Sequence, residues 1–232
     1  MSVNLARSIG SVLVAVATIV TIVALAVLVF FNPVWVTFEQ GRTGADRLTG
    51  YTLEEIRALT GQILAEMVVG PATFEMIVQG QPVFDAKERA HLADVRGVLI
   101  GLAVLTLVAV GFLAVAFRAA PPRRWVWAGV AGGTAGLGMA VVILGILFAA
   151  FFDAAFDLFH RLFFGAGSYS FDPLTQRLVQ VFPEEFWFET SLALAVVLIV
   201  MAMVGILIAV PRITPAEPLI GAGTPAEPEV VP

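Results

Sequence analysis

The chain has 232 residues, of which 59% are hydrophobic and only 13% charged, with a formal net charge of -5 and no cysteine. A soluble domain carries roughly a quarter charged residues, so this chain has too little polar surface to coat a globule in water, and lipid must be part of its solvent. Disulfides, thiolate metal sites and thiol nucleophiles are excluded by the missing cysteines, and an acidic chain without a basic run is a poor match for nucleic acid.

Four uncharged apolar runs, residues 11–31, 98–117, 125–152 and 191–210, each hold 20 residues or more. At about 1.5 Å per residue, each crosses a hydrocarbon core of about 30 Å. Helix is the default there, because lipid offers backbone groups no other partner. The predicted spans are about 9–31, 98–117, 125–152 and 189–210. Ala24-Leu25-Ala26 has the small-x-small form of a signal-peptide cleavage site, but the apolar run continues to Phe31, so a retained span is expected. Arg118, Arg123 and Arg124 lie between the second and third runs, Arg7 precedes the first and Arg212 follows the fourth. The positive-inside rule then puts both termini in the cytoplasm and turns loops 32–97 and 153–188 outward. The expected architecture is an all-α membrane protein: a four-helix membrane domain over residues 1–212, with a small helical extracytoplasmic domain built from two outer loops. Residues 213–232, rich in Pro, Ala and Glu, read as a disordered cytoplasmic tail.

In the first loop, Thr52-Leu53-Glu54-Glu55 has the form of a capping box, followed by Leu53, Ile56, Ile63, Leu64 and Met67 at helical spacing until Gly70-Pro71. Packing on the outer domain is the preferred use of that apolar face. A second helix is predicted from Ala86 to Arg96, running on into the second span. It carries His91 and Asp94, three apart on one face. His91 precedes Val98 by seven residues, about 10 Å above the hydrocarbon edge.

In the third span, Gly129/Gly133 and Gly132/Gly136 form two small-xxx-small pairs suited to close helix packing in lipid. No span has a charged interior residue, which demotes transport. Beyond that span, Asp153, Asp157 and His160 follow i, i+4, i+7 spacing, and a straight continuation puts His160 about 12 Å outside the core. Phenylalanines 151, 152, 156, 159, 163 and 164 surround it. The chain's only two histidines thus reach the same side at similar depth, each with an aspartate three residues away. Ser168 and Ser170 sit in a turn-like setting, and no Gly-x-Ser-x-Gly elbow is present.

The segment from Phe84 to Arg96, with Glu88, His91, Leu92, Asp94 and Val95, resembles the first signature of the bacterial lipoprotein intramolecular transacylase (Lit) family. Phe159-His160-Arg161-Leu162-Phe163-Phe164, with Phe171-Asp172-Pro173 and Phe182-Pro183-Glu184-Glu185-Phe186, is similar to its second. The resemblance covers about residues 8 to 212. It implies transfer of the sn-2 acyl chain of a diacylglyceryl-modified lipoprotein to the α-amino group of its N-terminal cysteine, leaving the lyso form. His91 and His160 correspond to the family's two histidines. On this reading His160 is the base, His91 the donor to the oxyanion or leaving oxygen, and Asp94 and Asp157 fix the ring tautomers. Arg96, Arg161, Glu88, Tyr169 and Asp153 are the expected substrate-binding residues. Neither metal nor cofactor is expected, and the partners are the lipoprotein substrate and membrane lipids. A metal-dependent lipid or lipoprotein hydrolase and a non-catalytic membrane scaffold stand as alternatives.

Overall fold

The computed structural model describes residues 3–119 and 123–213. In chain order the helices are α1 (Val3–Phe30), α2 (Pro33–Arg42), α3 (Ala45–Thr49), α4 (Leu53–Val68), α5 (Ala86–Ala119), α6 (Arg124–Ala150), α7 (Phe152–Phe163), α8 (Arg177–Val181) and α9 (Glu184–Ala209). A two-residue hairpin, β1 (Ile77–Val78) with β2 (Gln81–Pro82), pairs antiparallel between α4 and α5. The fold is all-α in character. Helices α1, α5, α6 and α9 are long and apolar enough to cross a membrane. The predicted tail lies outside the described residues from 214 onward.

Helix α6 packs between α1 and α9, and α5 lies against α1. Glycine makes the first of these contacts possible. A Cβ on Gly129 would stand 2.5 Å from the Ser11 carbonyl oxygen and 2.8 Å from the Val14 side chain, and one on Gly133 would stand 2.6 Å from the Ala15 carbonyl. Gly132 and Gly136 face open space. Of the two overlapping pairs in the sequence, only Gly129/Gly133 is a helix seam. The other pair lies a quarter-turn away, on a side that meets no helix.

The smaller helices share a separate core. Ile56, Leu59, Ile63 and Met67 of α4 are buried with Phe74, Phe84 and Leu92, and with Leu178 and Val181 of α8. Each such side chain contributes about 1.5–3 kcal/mol on burial. Because α8 follows the third span and α4 precedes the second, the two long connections fold into one body. A buried polar relay reinforces it: Thr60 donates to Gln40 Oε1 (2.7 Å), and Gln40 Nε2 donates to the Val181 carbonyl (3.2 Å). Helix α4 starts as expected, with the Thr52 hydroxyl accepting from Glu55 N (3.2 Å) and Glu55 Oε2 accepting from Thr52 N (2.8 Å). Its apolar face packs on the core.

Helix α5 is continuous for 34 residues, about 50 Å, whereas the hydrocarbon core needs about 30 Å. Its first three turns carry Lys87, Glu88, Arg89, Asp94 and Arg96 and stand outside the apolar segment that begins at Val98. Asp85 caps it, accepting from Glu88 N (2.8 Å) and donating its own N–H to Glu88 Oε2 (2.7 Å).

The third span departs from the expected straight exit. Phe151 leaves the helical region (φ -137, ψ 50), and α7 begins anew at Phe152. Leu158, Phe159, Leu162 and Phe163 share one exposed face of α7, while His160 is buried on the other. A straight continuation would carry those four apolar side chains into water. The break turns α7 so that His160 is buried against His91 of α5.

Candidate active site

His91, in the second turn of α5, and His160, in the last turn of α7, meet with ring centroids 6.0 Å apart and planes inclined at 25°. Both are buried, at 7% and 8% exposure. Aromatic rings enclose them. Phe164 and Phe171 lie 4.8 and 5.4 Å from His91, while Phe156 and Tyr169 lie 4.2 and 5.0 Å from His160.

His160 Nδ1 is 2.7 Å from the carbonyl oxygen of Phe156. A carbonyl only accepts, so Nδ1 carries the hydrogen, and in the neutral ring Nε2 holds the free lone pair. His91 Nδ1 is buried without a hydrogen-bond partner. Burial, followed by the neighbouring His160 ring, lowers the His91 pKa to about 4, with Asp94 opposing and Lys87 adding to the fall. The ring is therefore neutral at ordinary pH.

The carboxylates do not hold the rings as expected. Asp157 pairs with Arg161 (2.7 Å) and accepts from the Tyr169 hydroxyl (3.3 Å). It is the Phe156 carbonyl, one helical turn before His160, that fixes the tautomer. Asp94 is exposed on α5, and the His91 Nδ1 it was expected to orient has no partner. Glu88 is 2% exposed and accepts backbone N–H groups at both oxygens, from Asp85 at Oε2 and from Leu178 at Oε1 (2.6 Å). Burial raises its pKa against those hydrogen bonds. Its placement ties α5 to α8 behind His91.

The remaining expected residues scatter. Arg96 is half-buried below His91, its Nε without a partner. Arg161 is exposed beside Asp157. Asp153 stands in the first turn of α7 next to Glu184, whose carboxyl is pushed up by burial and then by Asp153 and Glu185. Ser168 closes a turn, its hydroxyl donating to the Gly165 carbonyl (2.8 Å). Among the described residues, no three His, Asp or Glu side chains converge around a common point. Three contributors were missed in the sequence: the Phe156 carbonyl, Phe171 and Lys87. Lys87 donates to the Ser170 carbonyl and holds its ammonium 5.0 Å above the Phe171 ring. Phe171 lies within the second signature and Lys87 within the segment of the first, which was the available signal.

The family model of the lipoprotein intramolecular transacylase Lit matches residues 9–187. The chain belongs to the Lit family. It is classed accordingly as an acyltransferase of lipoprotein maturation and an integral protein of a bacterial membrane. Among solved structures it is similar to the membrane integral lipoprotein intramolecular transacylase Lit from Bacillus cereus, with a TM-score of 0.74 and 16% identity, covering 90% of this chain and 97% of that one. Two histidine variants of the Bacillus cereus protein, one to arginine and one to alanine, each match with a TM-score of 0.67 and 16% identity. They cover 90% of this chain and 93% and 94% of theirs. At that identity the similarity establishes a shared fold. No curated protein matches the chain by sequence.

Proposed function

We propose that this chain moves the sn-2 acyl chain of an S-diacylglyceryl lipoprotein to the α-amino group of the same molecule's N-terminal cysteine, using its two histidines. The observation that carries this reading is the pairing itself: the chain's only histidines stack in an aromatic enclosure just beyond the apolar spans. A glycerol ester lies at that depth when its acyl chains are in the leaflet. The arginines flanking the spans support a topology with both termini in the cytoplasm and loops 32–97 and 153–188, with the site, outside.

Amine and ester belong to one molecule, so the protein's first task is to fold that molecule into attacking geometry, an effect worth about 7–11 kcal/mol. The α-amino group has a pKa near 8 and an imidazole near 6.5 (about, for free groups). His160 Nε2, its lone pair free because Nδ1–H is bound to Phe156, takes a proton as the amine attacks the ester carbonyl. His91, kept neutral by burial, donates an N–H to the developing oxyanion. Collapse breaks the bond to the sn-2 glycerol oxygen, which takes the proton from His160. One amide forms, one ester breaks and no net proton is consumed. Acyl chains lie toward lipid along α7. The partners are the lipoprotein and membrane lipids, and the chemistry calls on no cofactor.

The His91→Gln and His160→Gln variants test this in membranes or nanodiscs, with a synthetic diacylglyceryl-cysteinyl peptide as substrate. Each should lower the transfer rate by about 10²–10⁴-fold, the span of a lost acid–base group, while Tm stays close to that of the parent. Near-parental turnover in either variant removes that histidine from the chemistry.

A further inference from the structure

On the reading above, the ester must reach His160 Nε2 and His91, yet both rings are less than one-tenth exposed. One short segment covers both. Tyr169 lies on His160 and Phe171 on His91, and both belong to the loop that follows α7. We propose that residues 165–171 are a lid over the histidine pair, latched by Lys87, and that the lid lifts to admit the lipid ester.

The segment's ties support this. It reaches the rest of the protein through side chains: Lys87 Nζ to the Ser170 carbonyl, the Lys87 ammonium over Phe171, the Tyr169 hydroxyl to Asp157 at 3.3 Å and beside Arg161, and the Phe171 ring against His91 and the edge of the small-helix core. Its own turn, Ser168 N to the Gly165 carbonyl (3.1 Å), is internal. Both flanks are firmly held. Phe164 N bonds to the His160 carbonyl (2.8 Å) at the end of α7. Beyond Phe171, Asp172 accepts from Gln176 N (2.9 Å), Gln176 Nε2 donates to Asp85 (2.8 Å), and Leu178 N donates to Glu88. Gly165 and Gly167, the latter at φ +82, supply backbone freedom at one end. The lid can therefore swing between two anchors while the backbone bonds of α7 and of the Asp172 turn stay intact. Few ties, exposed polar bonds and glycine mark segments that open at low cost. Opening uncovers the imidazoles between α5 and α7, next to the apolar spans from which a leaflet lipid arrives. The latch is the only lysine in the chain.

The chain has no cysteine, so Lys87→Cys with Ser170→Cys gives two unique thiols. A reducible bis-methanethiosulfonate reagent can bridge them in the full-length protein in nanodiscs. Carbethoxylation of His91 and His160 by diethyl pyrocarbonate, read by peptide mass spectrometry, reports on the lid without reference to activity. The bridged form should react at least about tenfold more slowly than the same sample after thiol release, with the wild type between them. Equal rates in bridged and released forms overturn the lid. Acyl transfer should stop on bridging and return on release, and transfer undiminished by the bridge equally overturns it. If the wild type itself transfers no acyl chain, the functional reading fails, and carbethoxylation alone decides the lid.

Discussion

At the scale of single residues, the two histidines differ in what holds them. His160 is oriented by a backbone carbonyl one turn away, whereas His91 sits among phenylalanines with Nδ1 unpartnered. Both residues and their shared depth were legible in the sequence, because only two histidines are present and each lies within a turn or two of a span end. The tautomer was not legible. It depends on a carbonyl, which every residue carries, while Asp157 is taken up by Arg161 and Tyr169 and Asp94 lies exposed. The depressed pKa of His91 has a measurable consequence. Its ring ionises near 6.5 in the unfolded chain and at about 4 in the folded one, so the unfolded chain binds more protons in that window. The associated stability is complete above about pH 6.5 and is lost as pH falls toward 4. The Tm of the purified protein should fall through this range, and His91→Gln should flatten that part of the profile. An identical profile in the variant would show that the ring is not held neutral by burial.

At the scale of elements, the long helices followed from apolar length and the α4 start from its capping box. The break at Phe151 did not. No Gly or Pro lies between Ile146 and Phe163, and periodicity continues through the bend. What the bend serves is tertiary packing, which a one-dimensional pattern does not contain: it leaves the apolar face of α7 exposed while His160 is buried against His91 of α5. Helix α2 was missed for another reason. Asn32-Pro33 is a good start, with Asn32 accepting from Trp35 N (3.0 Å), but the helix is only 10 residues long and lacks a long apolar stripe. Glycine spacing was likewise ambiguous, since two overlapping pairs have the same pattern and only one faces α1. The difference is testable by thermal unfolding in detergent. Gly133→Leu should destabilise the protein by about 1–3 kcal/mol or more, because its side chain would meet the α1 backbone. Gly132→Leu, facing open space, should stay within about 0.5 kcal/mol of the parent. Equal losses would mean that the α1–α6 seam is not where the glycines place it.

At the scale of the whole molecule, four apolar helices hold a small folded body at one end, and the histidines lie where the two meet. On the proposed function, that location lets a lipid ester meet a peptide N-terminus without taking either out of its own medium. The fold class and the family were readable from composition, span count and two separated motifs. The joining of both long connections into one core was not, because it rests on burying Leu92 in one cluster with Leu178 and Val181, across a stretch of sequence that includes two of the four apolar spans. The central claim is the transfer itself, and substrate and product are isomers that intact mass does not separate. The decisive measurement is tandem mass spectrometry of the N-terminal lipopeptide of a reporter lipoprotein expressed with the wild type, with the double His91→Ala/His160→Ala variant, and with neither. An N-acyl, S-monoacylglyceryl fragment pattern with the wild type alone is the expected result. An unchanged diacylglyceryl pattern in all three samples, with the folded protein present in the membrane, would contradict it.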